Sequence, residues 1–110
     1  MNEASEVVVA LCTAPVDSAE ALARQLVESR VCACVNVLPH VRSFFHWQGA
    51  LDTADEQLLL IKTTSANVDS LRERIQAWHP YDVPELLVLR VADGLPPYLA
   101  WVADAVTKPA

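Results

Sequence analysis

The sequence predicts an α+β sandwich: a four-stranded antiparallel sheet with two helices on one face, an extended hairpin between the second and third strands, and an extra C-terminal helix. Three observations carry this. Apolar runs of strand length alternate with stretches of helical period in the order β-α-β-β-α-β-α. The turn signals between them leave only short connections. No repeat, low-complexity tract or linker interrupts the 110 residues, so one domain over 1–110 is expected.

Val7-Val8-Val9-Ala10-Leu11-Cys12 is a β-branched apolar run suited to a strand buried on both faces, and Pro15 ends it. Asp17 followed by Glu20 resembles a capping box with Asp in the Ser/Thr place. Ala19, Leu22, Ala23, Leu26 and Val27 then fall on one helix face, and Arg30 sits in the last turn, where a cation suits the dipole. Ala33 to Trp47 reads as a long extended stretch bent at Pro39. Gln48-Gly49 turns it, and Glu56 to Thr64 returns as the partner strand. Ser65 opens a second helix with Val68, Leu71, Ile75 and Trp78 on one stripe, stopped by Pro80. Pro84 to Val91 is the last strand, and Pro96-Pro97 start a short helix through Val106. Two β-α-β halves joined through a hairpin make the ferredoxin-like sandwich.

The chain carries a net charge of -6 and is 53% hydrophobic. That composition excludes disorder. The eight Lys and Arg residues are scattered, which argues against a nucleic-acid partner. No apolar run approaches the ~20 residues of a membrane span, so no membrane partner is expected. Met1 to Glu6 carries two acids and no base, and no leader-like apolar stretch follows, which predicts a cytoplasmic address. Three cysteines are an odd number and form no disulfide framework, so free thiols or metal ligands are expected.

The sandwich hosts unrelated functions, and several are excluded by residue type. The first strand ends in a lone Cys12 rather than a C-x-x-C pair. Thr13-Ala14-Pro15-Val16 has no Arg or Gly to cradle a phosphate. The two central strands carry no aromatic platform for RNA. Cys12, read at the end of the first strand before a helix N-terminus, is either a thiolate and ligand or a small buried hydrophobe. Cys32 and Cys34, spaced by two, would point to one face of a strand; a C-x-C pair can bind copper or zinc, and cysteine burial favours core packing. His79 is either a ligand or a cap at the end of the second helix. His40 and His46 read as solvated. Phe44, Phe45 and Trp47 place aromatics on both faces of a hairpin arm, which predicts a partner surface, most simply a second copy of the chain. A cysteine enzyme built on Cys12 and His79 lacks an orienting acid and an oxyanion donor, so no enzyme is expected.

The blocks Val8-Val9-Ala10-Leu11-Cys12-Thr13-Ala14-Pro15, Ala33-Cys34-Val35-Asn36 and Trp47-Gln48-Gly49-Ala50-Leu51 resemble the CutA family of divalent-cation tolerance proteins. So do Leu60-Ile61-Lys62-Thr63-Thr64, His79-Pro80-Tyr81-Asp82-Val83-Pro84-Glu85 and Tyr98-Leu99-Ala100-Trp101. The resemblance runs from about Val7 to Val106. It implies a cytoplasmic homotrimer whose protomers extend one another's sheets, linked to copper or other divalent cations. It places metal ligands at Cys12 and His79, with Trp78 where the family's first histidine would stand. It also resembles trimeric PII-like signal proteins, which bind small effectors between protomers. On that analogy Lys62, Tyr81, Glu85, Tyr98 and Trp101 are expected to line an inter-protomer cleft. The implied function is divalent-cation tolerance with copper binding; the alternative is a PII-like ligand sensor that binds metal incidentally.

Overall fold

The computed structural model describes residues 6–108; Met1 to Ser5, which carry part of the cytoplasmic expectation, lie outside the described residues. Four strands form one antiparallel sheet in the order β2-β3-β1-β4: β1 (Val7–Pro15), β2 (Cys34–Trp47), β3 (Ala50–Thr64) and β4 (Leu87–Arg90). Helix α1 (Ala19–Glu28) joins β1 to β2, α2 (Val68–Trp78) joins β3 to β4 after one 3-10 turn, and α3 (Pro96–Ala105) closes the chain. This is the ferredoxin-like order expected from the sequence.

The core lies between the helices and one face of the sheet. Strand alternation puts Ala10, Cys12 and Ala14 of β1 on that face, opposite Ile61, Leu59 and Gln57 of β3. They pack with Leu22 and Leu26 of α1 and Leu71 and Ile75 of α2. The small side chains on β1 let the helices sit close to the sheet. Val27, expected on the inward stripe of α1, instead lies exposed at its edge.

The other sheet face has little cover. Leu11 faces Leu87, Val9 faces Leu89, and Leu58, Leu60 and Leu38 continue the same surface. Only α3 crosses it, packing on β1 and β3 with Val102 fully buried. Leu87 and Leu89 therefore remain about half exposed, at 56% and 49%.

The hairpin outgrows the sheet. β1 pairs with β3 only from Glu56 to Thr64, so Ala50–Asp55 bond to β2 alone and form a projecting two-stranded arm. At its tip Gln48 and Gly49 have φ of 51° and 82°, the left-handed pair of a type I′ turn. The bend expected at Pro39 is a register shift between Leu38 and Val41, with His40 at φ 64°. Proline has no N–H for the ladder, so the pairing breaks there.

Several local expectations are corrected. Helix α1 starts after Ser18, with no side-chain cap, so Asp17 and Glu20 form no capping box. Arg30 lies past the helix end in the left-handed region (φ 63°). Its N–H donates to Val27, its carbonyl accepts from the Thr107 N–H, and its guanidinium donates to the Ala105 carbonyl, so it ties α1 to the end of α3. Ser65 caps no helix; its N–H and hydroxyl donate to the Glu6 carbonyl. β4 is shorter than expected because Pro84–Leu86 approach it outside the ladder.

Ile61 is fully buried on the central β3. Ile61→Ala is expected to lower the unfolding free energy by about 2–5 kcal/mol in urea denaturation. Arg72→Ala, which removes only an exposed pair with Asp69, is expected to change it by less than ~0.5 kcal/mol.

Candidate functional site

Cys12 lies in the middle of β1 rather than at its end, and its side chain points into the core. Burial, then the charges of Glu85 and Glu56, push its thiol up to about 12. The expectation of a thiolate favoured by a helix N-terminus is thus overturned: α1 begins seven residues later, and the surroundings oppose a negative sulfur. Cys32 is also buried, with its thiol pushed up to about 12 by burial first. Cys34 is half-buried on the opposite sheet face, paired with Lys62, so the two cysteines do not share a face.

His79 follows α2 and is buried. Its Nε2–H donates to the Thr13 carbonyl at 2.7 Å, and its Nδ1 accepts the Tyr81 N–H at 3.1 Å. A carbonyl only accepts and an N–H only donates, so these partners fix the neutral Nε2–H tautomer. The Cys12 thiol also leans on the Thr13 carbonyl, at 3.6 Å. The two expected ligands therefore do meet, but around a backbone oxygen that both donate to.

That arrangement does not fit a metal ion. A thiol binds metal as thiolate, and this one is held protonated. Imidazole binds through a free nitrogen lone pair, and neither His79 nitrogen has one. Among the described residues no group of three or more His, Cys, Asp and Glu could hold an ion. Trp78 packs partly buried against the core with the Arg74 guanidinium 5.5 Å from its ring, which is a structural post.

Beside His79 a groove of about 710 Å³ opens between the hairpin arm and the Tyr81–Glu85 segment. Its aromatic walls are Phe44, Phe45, Trp47 and Tyr81. At its floor Glu56 is only 5% exposed. One carboxylate oxygen accepts the Ser43 hydroxyl and the other accepts the Tyr81 hydroxyl at 2.8 Å. Burial, followed by that bond and the Glu56 charge, pushes the Tyr81 phenol up to about 12. Glu85 also lines the groove, and its carboxyl is raised above the ordinary range by desolvation first and then by Glu56.

The five expected cleft residues divide into two groups. Tyr81 and Glu85 line the groove near Glu56, which is paired with Pro15. Lys62 lies six residues further along β3, roughly 20 Å away along the strand. Tyr98 and Trp101 stack on α3 with ring centroids 5.8 Å apart. Burial and the Cys34 sulfur opposite Lys62 raise the Tyr98 phenol. The chain thus joins Tyr81 and Glu85 to the arm aromatics and leaves Lys62, Tyr98 and Trp101 at the other end of the same face. Sequence reasoning missed Glu56, Ser43 and Thr13. Glu56 had a readable signal, a lone acid at the head of a leucine-rich strand; Thr13 acts through its carbonyl, which no side-chain pattern betrays.

Fold and groove together define a ferredoxin-like α+β protein with a preformed concave site on the thinly covered face of its sheet. The family model for CutA1 divalent ion tolerance protein matches residues 7–105. The chain is 46% identical over 100 residues to a Xenopus laevis protein CutA homolog, covering 90% of this chain and just under two-thirds (66%) of that relative. The crystal structure of CutA1 from Oryza sativa superposes with a TM-score of 0.93 at 32% identity, covering 98% of this chain and all of that one. The apo structure of the PII-like protein CutA from Nostoc sp. PCC 7120 superposes with a TM-score of 0.87 at 33% identity, covering 91% of this chain and 97% of that one. This chain belongs to the CutA divalent-cation tolerance family.

The raised Glu85 carboxyl makes a signed prediction. Its ionised form is penalised in the fold, so native stability is fullest below the ordinary carboxylate range and falls as pH rises through the raised value. Glu85→Gln removes that penalty. It is expected to raise the thermal midpoint at pH 7, and the gain is expected to vanish below about pH 4, where both forms are neutral.

Proposed function

We propose that the chain acts in divalent-cation tolerance as a cytoplasmic, non-catalytic homotrimer, and that it works by binding a small ligand at a cleft, with metal binding incidental. The observation that carries the ligand reading is the state of His79: both ring nitrogens are engaged, one by Thr13 and one by Tyr81. A copper site on Cys12 and His79 would require breaking one of those bonds and removing a proton from a buried thiol. The preformed groove needs no such rearrangement, and its volume lies in the ordinary small-molecule range of about 300–1,000 Å³.

Self-association is supported by exposed apolar surface. Leu87 and Leu89 at one sheet edge and Phe44, Phe45 and Trp47 on the arm are all exposed. Phe44 lies on the opposite arm face from Phe45 and Trp47, so a partner must meet the arm from more than one side. The Nostoc relative bears the name PII-like protein, which agrees with a ligand sensor. No helix among the described residues is long and apolar enough to cross a membrane.

Native mass spectrometry with and without copper tests this reading. The expected spectrum is three chains, with weak copper adducts that are the same in native protein and Cys12→Ala. A saturating copper stoichiometry that Cys12→Ala abolishes would overturn the ligand reading and restore Cys12 as a metal ligand. A monomer mass would overturn the trimer.

A further inference from the structure

The hairpin arm meets the sheet at a weak point. β1 stops supporting β3 at the Pro15–Glu56 pair, and the β2 register breaks between Leu38 and Val41, where His40 turns left-handed. The first pair beyond the break is Val41 with Glu56, so both disturbances fall at one level of the ladder. Past that level two strands continue alone. A two-stranded ribbon twists more than a broad sheet and is marginal by itself, so its own ladder does not fix its angle to the sheet. The Arg42–Asp55 ion pair joins the arm's strands to each other with both side chains exposed, and it adds little.

The Glu56 side chain sits at this level and holds a partner on each side. One oxygen accepts the hydroxyl of Ser43, which belongs to the arm. The other accepts the hydroxyl of Tyr81, from the segment after α2, at 2.8 Å. Tyr81 is itself fixed to the body. Its N–H donates to His79 Nδ1, and its ring centroid lies 4.8 Å from the imidazole. The His79 Nε2–H in turn donates to the Thr13 carbonyl on β1. Thr13, His79, Tyr81, Glu56 and Ser43 are thus joined in one unbroken line of hydrogen bonds from the sheet to the arm. Two of those bonds end on a carboxylate, the stronger kind of acceptor. Glu56 is only 5% exposed, so water competes poorly for them.

We propose that this line is a strut that sets the angle of the arm against the sheet and so presents Phe44, Phe45 and Trp47 to a partner copy. The presentation rests on the proposed self-association; the strut lies within one chain and does not. Glu56 and His79 are positioning residues in it, acting on the arm through Ser43 and Tyr81.

Hydrogen exchange in the native assembly, read at the amides of Val41 to Phe45 and Thr53 to Glu56, follows the arm base. Tyr81→Phe removes one hydroxyl and keeps the ring. It is expected to speed exchange there at least tenfold and to leave the Leu59 and Ile61 amides unchanged. Ser43→Ala is expected to do the same, and the double variant to add less than twofold, because either change breaks the same line. Arg42→Ala is expected to change exchange by less than twofold. No change in Tyr81→Phe, additive effects in the double variant, or an equal effect from Arg42→Ala would overturn the strut. Mixing with isotope-labelled protein, followed by native mass spectrometry, reads the consequence for assembly. Tyr81→Phe is expected to exchange chains at least tenfold faster than native protein. Faster hydrogen exchange with native mixing would overturn the presentation to a partner. A single-chain mass for the native protein would overturn the self-association reading, and hydrogen exchange would still decide the strut.

Discussion

Two helices cover only one face of a four-stranded sheet, and the rest of this molecule follows from that limit. The covered face has small residues on β1 and the larger Leu59 and Ile61 on β3, and α1 and α2 pack on it to form the core. The opposite face is equally rich in leucine, yet only α3 crosses it, at the Val7 and Lys62 end. Apolar surface left in water costs about 25 cal/mol per Å², and the exposed Leu87, Leu89 and Trp101 are the surface the proposed self-association would remove from water.

Where the arm leaves the sheet, the same limit creates the groove. Ser43, Phe45 and Trp47 share the arm face with Glu56, and no helix lies over them. Polar groups there are satisfied from within the chain: Glu56 by two hydroxyls, His79 by a carbonyl and an N–H. These bonds explain how a glutamate and a histidine can both be buried, since a buried polar group needs partners and each has them. They also give Thr13 its importance, because its carbonyl holds His79 and, more weakly, the Cys12 thiol.

Much of the fold was legible in the sequence because periodicity and turn residues report locally. The I′ turn at Gln48-Gly49, the break at Pro39 and the inward stripe of Leu22, Leu26, Leu71 and Ile75 are local signals. Positions governed by tertiary contacts were misread. Arg30 looked like a dipole-pairing helix residue, yet its backbone turns left-handed to meet α3. Asp17 and Ser65 looked like caps, and the chain satisfies those helix ends otherwise. The site was legible only as pieces. Cys12 and His79 were read as metal ligands, but residue type alone cannot say that a backbone carbonyl accepting from both sits between them. Phe44, Phe45 and Trp47 were assigned to an interface and Tyr81 and Glu85 to a cleft, while the fold sets all five around one groove.

The proposed trimer makes a single chain an incomplete unit, finished by copies of itself across the thinly covered sheet face. A protein stabilised by association unfolds at a midpoint that rises with its concentration, and a monomer does not. Thermal unfolding followed by circular dichroism over a hundredfold range of chain concentration reads this directly. The account predicts a midpoint that climbs steadily with concentration, and a lower midpoint at each concentration in Leu87→Ser, which makes the exposed face less apolar. A midpoint independent of concentration, together with a native-like spectrum at the most dilute point, would contradict it.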